Sequence, residues 1–269
     1  MPTVHEIERA LFQWAPKDLA QSWDNVGLLV GEPEQEVRRV LVALDVTEAV
    51  AREAAEKDCQ LIAAHHPVMN CAWSPVQSLR SDTLQGKLLM DLVRSGVAAI
   101  CMHTNLDAAQ GGVNVCLAQA LELTDLEQLH QDGVDRSGQP YGIGRVGNVS
   151  ANNSLSAGEY AAFVKEKLHA AGVRFADGGK PVRRVAVGGG SCGSMLADAA
   201  AAGCDTFVTA DVKYDQFLEA KALGITLMDA GHYATENVVC PKIVQYLSLK
   251  FPGIPVKISQ THQEAYGCV

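Results

Sequence analysis

VRRVLVALDVTEAVAREAAEKDCQL, Val37 to Leu61, is echoed without a gap by VRRVAVGGGSCGSMLADAAAAGCDTF, Val182 to Phe207. Each copy opens on a short apolar, β-branched run and continues into an alanine-rich stretch, the pattern of a buried strand followed by a helix. Self-similarity on this scale constrains architecture before any local feature does. It predicts an α/β chain of two internally repeated modules, each a sheet flanked by helices. Both copies also lead to the same residue types. His65-His66 and then His103-Thr-Asn-Leu-Asp107 follow the first copy, and His232-Tyr-Ala-Thr-Glu236 follows the second, so a histidine four residues ahead of a carboxylate recurs in each half.

Working outward, Val4, Ile7, Leu11 and Trp14 recur at helical spacing over Thr3 to Trp14, and Pro16 stops that helix. Strands are expected at Asn25 to Val30, Val40 to Leu44, Leu61 to Ala64 and Val97 to Cys101, with Thr47 capping a helix to Lys57 and a further helix over Thr83 to Ser95. In the second half, strands are expected at Val185 to Val187, Thr206 to Thr209 and Thr226 to Asp229, and helices at Met195 to Ala202 and Tyr214 to Leu223. Between the halves the chain turns polar and glycine-rich. That crossover is read as one strand, Ile143 to Val149, and one helix, Ala157 to Ala171. The domain reading is a first module over residues 1–125 and a second over 126–269 that includes the crossover 126–180.

The chain has 269 residues, enough for two modest cores. Its 22 Lys+Arg against 31 Asp+Glu give a net charge of -9, the wrong sign for a protein that lives on phosphate backbones. The eight cysteines show no C-x-x-C spacing, which favours reduced thiols in a cytoplasmic protein, with Cys59, Cys101 and Cys204 as small buried hydrophobes. No cationic, apolar leader and no membrane-length apolar run is present in the sequence.

His65-His66 follows an expected strand and precedes Pro67, and ligands in open α/β sheets gather at the carboxyl ends of strands. Adjacent histidines on extended backbone point to opposite sides, so without a bend they feed two metals rather than one. His103/Asp107 and His232/Glu236 share a helical face if each stretch is helical, and the competing reading of either pair alone is helix capping. Imidazole plus carboxylate without thiolate suits Zn, Fe, Mn or Co, and five or six such ligands fit two ions about 3.5 to 4 Å apart. Water activated at such a centre makes hydrolysis the chemistry that follows. The Gly188-Gly189-Gly190-Ser191 turn is either a phosphate cradle or a tight packing turn, and it lacks the lysine of a P-loop. Trp73 either stacks on a purine or lids the site, and Lys213 and Tyr214 either contact an anionic substrate or are ordinary surface. His5, His130, His169 and His262 have no partner pattern and read as surface residues.

SWDNVGLLVG at Ser22, AAHHPV at Ala63, HTNLDAAQGGVN at His103, VGGGSCGS at Val187, TADVKYD at Thr209 and DAGHYATE at Asp229 occur in order along nearly the whole chain. In these motifs the chain resembles the YbgI-type, NIF-three-like metal-binding family, whose members are labelled GTP cyclohydrolase I type 2 homologues, in its shorter form without the central inserted domain. The resemblance implies interlocked α/β modules, a ring-shaped homohexamer built as a trimer of dimers, and a dinuclear centre of divalent transition metals between the modules. Carried over residue by residue, it implies metal ligands His65, His66, Asp107, His232 and Glu236, with Glu236 bridging, and His103 as a proton shuttle or a residue that supports the ligands from just outside them. Asp215 and Cys192 depart from the family pattern, which has histidine and glycine there.

Two functions follow. One is a metal-dependent hydrolase acting on a nucleotide or another phosphorylated small molecule, with opening of the GTP purine ring the reaction the label implies. The other is a non-catalytic metal-binding scaffold or regulator that forms a ring-shaped oligomer. A small-molecule substrate, no membrane and no nucleic acid complete the expectation.

Overall fold

The computed structural model describes residues 1–69, 75–149 and 155–269, and the two quoted stretches each form a strand, a helix and the start of a second strand. Val40, Leu41, Val42 and Ala43 are fully buried, as are Leu61 to Ala64, because helices cover both faces of the sheet they enter. Runs apolar on every residue, rather than alternating, mark such doubly covered strands.

The chain divides into two compact units, residues 1–109 with 240–263, and residues 110–239 with 264–269. The first holds β1 (Gly27–Val30), β2 (Val40–Ala43), β3 (Leu61–Ala64), β4 (Ala98–Cys101) and a strand from near the C-terminus, Val256–Ile258, in the order β1-β4-β3-β2-Val256–Ile258. The four strands from β4 to Val256–Ile258 are parallel, and β1 runs antiparallel to β4. On one face Leu41, Ala43, Ile62, Ala64, Ala99 and Cys101 pack on Val50, Ala54, Leu88 and Leu92 of the helices Glu48–Glu56 and Leu84–Ser95. Each large side chain buried there contributes roughly 1.5 to 3 kcal/mol. The helices Val4–Trp14 and Cys240–Lys250 belong to the same unit, joined by Trp14 and Tyr246 with ring centroids 5.0 Å apart and by the Tyr246 hydroxyl donating to the Ala10 carbonyl. Helix starts are fixed locally: Thr3 with Glu6 forms a capping box, and Thr47 and Thr83 accept from the amides of Val50 and Gly86.

The second unit holds β5 (Thr124–Gln128), the small hairpin β6 (Gly133–Val134) with β7 (Pro140–Tyr141), β8 (Arg145–Asn148), β9 (Arg174–Ala176), β10 (Arg184–Val187), β11 (Thr206–Thr209) and β12 (Thr226–Asp229). Its main sheet runs β5-β8-β10-β11-β12-β9, with β10, β11 and β12 parallel and the outer strands antiparallel.

The crossover differs from its reading. Among the described residues it carries β6 to β9 rather than one strand, and β5 straddles the expected 125/126 boundary. β8 is the expected strand within Ile143 to Val149 and is largely buried, whereas β6, β7 and β9 are two or three residues long and mostly exposed or half-buried, so no apolar run announces them. The C-terminal segment also departs from the expected division, since Val256 to Ile258 extend the first sheet beside β2 (strand β13 hereafter). Beyond it, Glu53 grips the chain. Its carboxylate is 5% exposed and accepts from the amides of Gln260 and Thr261, the hydroxyls of Ser259 and Thr261, and the ammonium of Lys57.

Burial alone would push the Glu53 carboxyl up, and the bonds from Gln260, Lys57 and Ser259 override it and hold the group far below its ordinary 4.5. With the folded value below the unfolded one, this stabilisation is complete above about pH 4.5 and is lost only as pH falls below it. Glu53→Ala is expected to cost about 3 kcal/mol in urea titration at neutral pH, and correspondingly less in strong acid. An unchanged midpoint would remove Glu53 as the anchor of the C-terminal segment.

Candidate metal centre

The first unit gathers three imidazoles at the carboxyl ends of neighbouring strands. His65 and His66 leave β3, and His103 follows β4 as the residue before the short helix Thr104–Ala108. The backbone bends at His65 and His66, and both amides donate to the carbonyl of Leu44, at 3.1 and 2.9 Å. That bend overturns the divergence expected of adjacent histidines, and their ring centroids lie 5.0 Å apart. His103 completes the group, its ring 5.2 Å from that of His65 and 5.6 Å from that of His66, and the three offer ligand atoms within 4.8 Å of one another. Asp107 Oδ1 sits 3.6 Å from His65 Nε2. The side chain of His65 is wholly buried, whereas those of His103 and His66 are 12% and 22% exposed, so the cluster is open on one side.

Each ring is oriented through Nδ1. His65 Nδ1 donates to the carbonyl of Met102 at 2.7 Å, His66 Nδ1 to Asp45 at 2.7 Å, and His103 Nδ1 to Asp24 at 2.9 Å. A carbonyl or carboxylate oxygen can only accept, so Nδ1 carries the proton, and in the neutral tautomer that puts the lone pair on Nε2. Burial raises Asp24, and the bonds from His103 and Thr104 prevail, lowering it to about 2. Asp45 is likewise lifted by burial and brought below the usual carboxylate range, in part by the bond from His66 Nδ1. Histidines that ligate metals characteristically donate their second nitrogen to such an oxygen, which fits these residues to a divalent transition metal.

The second unit repeats the device. His232 opens the short helix His232–Glu236 after β12, its Nδ1 lies 2.6 Å from Asp211, and its Nε2 lies 3.1 Å from the Glu236 carboxylate. Here the i, i+4 pair shares a face as its spacing predicts. Asp211 adopts φ +53°, a left-handed conformation that is unusual outside glycine and is held by its surroundings. Asp229 contributes, accepting from the amides of Val212 and Gly231 and from Arg174.

The model of the family described as Duf34/NIF3 (NGG1p interacting factor 3) matches residues 2–265. The chain belongs to the DUF34/NIF3 family. Among curated relatives it is 39% identical to a GTP cyclohydrolase 1 type 2 homolog of Streptomyces coelicolor, over 89% of this chain and 84% of that one. It is 30% identical to the protein of the same name from Clostridium acetobutylicum, over 98% and 97%. Among solved structures, a Bacillus cereus protein related to NIF3 superposes with TM-score 0.92 at 25% identity, covering 100% of this chain and 99% of that one.

In this DUF34/NIF3 chain the glycine turn resolves toward packing. The amides of Gly188, Gly189, Gly190 and Cys192 are taken by the carbonyl of Val208, Asn114, Thr235 and Thr209, so they are not offered to a phosphate. Gly190 has φ +67°, and a Cβ there would stand 2.1 Å from Glu236 Oε1. Cys192 lies in the same turn with its thiol on the Gly189 carbonyl, and Asp215 is an exposed acid in the first turn of the helix Tyr214–Leu223. Lys213 and Tyr214 are exposed where that helix begins. Trp73 lies outside the described residues, and Trp23 packs edge-on to His103 instead, at 6.0 Å between centroids. Cys59, Cys101 and Cys204 are free and buried, and burial pushes the Cys204 thiol up to about 11. His262, read as a surface residue, is buried. Among the described residues, no helix is long and apolar enough to cross a membrane.

The reading missed the orienting carboxylates Asp24, Asp45 and Asp211. A local signal existed for two of them, because Asp45 and Asp211 each stand two residues beyond a fully buried strand. Because Gly190 leaves no room beside Glu236, Gly190→Ala is expected to lower stability by about 2 kcal/mol and to displace the Glu236 carboxylate. Urea titration with a crystal structure of the variant checks both, and an unmoved carboxylate at unchanged stability would contradict the packing role.

Proposed function

We propose that this DUF34/NIF3 protein is a metal-dependent hydrolase of the GTP cyclohydrolase 1 type 2 homolog kind, acting on a nucleotide or another phosphorylated small molecule. The metal ligands in this reading are His65, His66 and Asp107 of the first unit and His232 and Glu236 of the second, holding two divalent transition metals. The observation that carries it is the tautomer set. Four imidazoles have Nδ1 engaged by an oxygen, and in His65, His66 and His232 that makes Nε2 the nitrogen that would face a metal.

Bound metal supplies an activated water near neutral pH and polarises the group under attack. The chain's residues do the rest. Asp24 keeps the proton on His103 Nδ1, so Nε2 is the nitrogen that would take a proton from the attacking water and return it to the leaving group. Trp23, 41% exposed, provides an aromatic surface beside that ring. The partial exposure of His66, His103 and His232 gives water and substrate a way in, which favours turnover over a sealed storage site. The same sequence echo, with a run of parallel strands and a His-x-x-x-carboxylate stretch in each unit, supports a duplicated α/β plan.

Elemental analysis of protein purified without added metal is expected to show about two equivalents of a transition metal per chain. Glu236→Ala should lose metal, and GTP turnover should follow metal content across the samples. Metal without turnover of GTP or of a phosphoester panel would replace the hydrolase with a metal-binding scaffold, and absence of metal would end both readings.

A further inference from the structure

Beneath His65 and His66 lies the backbone of a single residue, Leu44. Its carbonyl accepts from both histidine amides. Its own N–H donates to Nε2 of His262, at 3.1 Å, from 218 residues away in the chain. The His262 side chain is 2% exposed. The next residue, Asp45, accepts from His66 Nδ1 with one oxygen, and its other oxygen lies 3.8 Å from His262 Nε2. His262 is carried by a strap that continues from β13. Ser259 donates its amide to Val42, Glu53 binds Gln260 and Thr261, and the His262 amide donates to the Ser259 hydroxyl.

We propose that His262 is a positioning residue for the metal-ligand pair, acting through the Leu44 backbone on that of His65 and His66 and through Asp45 on the ring of His66. The chemistry is specific. A backbone N–H buried at Leu44 requires an acceptor, and the unprotonated ring nitrogen of His262 supplies one. Take the acceptor away and the Ala43–Leu44 peptide loses its bond to His262, so the Leu44–Asp45 peptide joined to it can shift about the Leu44 torsions. The carbonyl that fixes two ligand amides and the carboxylate that orients one ligand ring then move together. A histidine present only to satisfy packing would instead influence the unit as a whole, with no preference for the metal site.

This inference rests on the metal reading, and zinc affinity separates the two. Competition against a chromophoric chelator gives the Zn²⁺ dissociation constant of the full chain, with thermal unfolding followed on the same samples. His262→Leu keeps the bulk without the acceptor and is expected to weaken zinc binding about 10- to 100-fold. His262→Asn, whose side-chain oxygen can accept from Leu44, should recover most of that loss. Tyr246→Phe, which removes a hydrogen bond elsewhere in the same unit, should leave zinc affinity unchanged. Asp45→Ala tests the other arm at a half-exposed position and should also weaken binding, even if His262→Leu does not fold. Zinc affinity unaltered in His262→Leu or in Asp45→Ala, or lowered equally by Tyr246→Phe, overturns the proposal alone. A native chain that takes up no zinc overturns the metal reading and this proposal with it.

Discussion

An imidazole is useful to a metal only if the correct nitrogen carries the proton, and in this chain that choice is made by oxygen atoms placed against Nδ1. Asp24, Asp45 and Asp211 hold His103, His66 and His232, and the Met102 carbonyl holds His65. Without those four bonds the rings would be free to rotate and to exchange tautomers, and the same histidines would be ordinary loop residues. With them, the four rings are held in orientation before any ion arrives, which lowers the ordering cost of binding.

The sheets exist, in functional terms, to put those oxygens in place. Parallel strands buried on both faces end together, so the loops after β2, β3 and β4 meet on one edge of the first sheet and bring Asp45, His65, His66 and His103 into reach. The same end of β11 and β12 supplies Asp211 and His232 in the second unit. Glycine does complementary work at Gly190, where the absence of a side chain leaves room for the Glu236 carboxylate. Asp211 pays for its role with a left-handed backbone, and Asp229 ties down the amide that follows it, Val212, and the amide that precedes His232, Gly231.

Much of this was legible in the residues. Leu61 to Ala64, Thr206 to Thr209 and Thr226 to Asp229 were read as the strands they form, since a buried parallel strand is an unbroken apolar run. Thr47 and Thr83 announced their helices by capping chemistry that is local in sequence. Strands such as β5, with three of five residues exposed, carry no comparable signal, and β13 is defined only by the partner it finds more than two hundred residues away. The histidines and carboxylates of the site were named from their spacing. What supports them was not, because Asp24 lies 79 residues from His103 and His262 lies 218 from Leu44. Long-range hydrogen bonds leave no periodicity, so a buried histidine and an exposed one read alike until the chain is folded.

The central claim is that the four imidazoles are set in one tautomer by the protein itself. Long-range ¹⁵N–¹H correlation spectra of the metal-free chain at about pH 8.5, where imidazoles are neutral, report that directly. The account predicts that His65, His66, His103 and His232 all carry their proton on Nδ1. Rings protonated on Nε2, or averaging between the two forms, would contradict it.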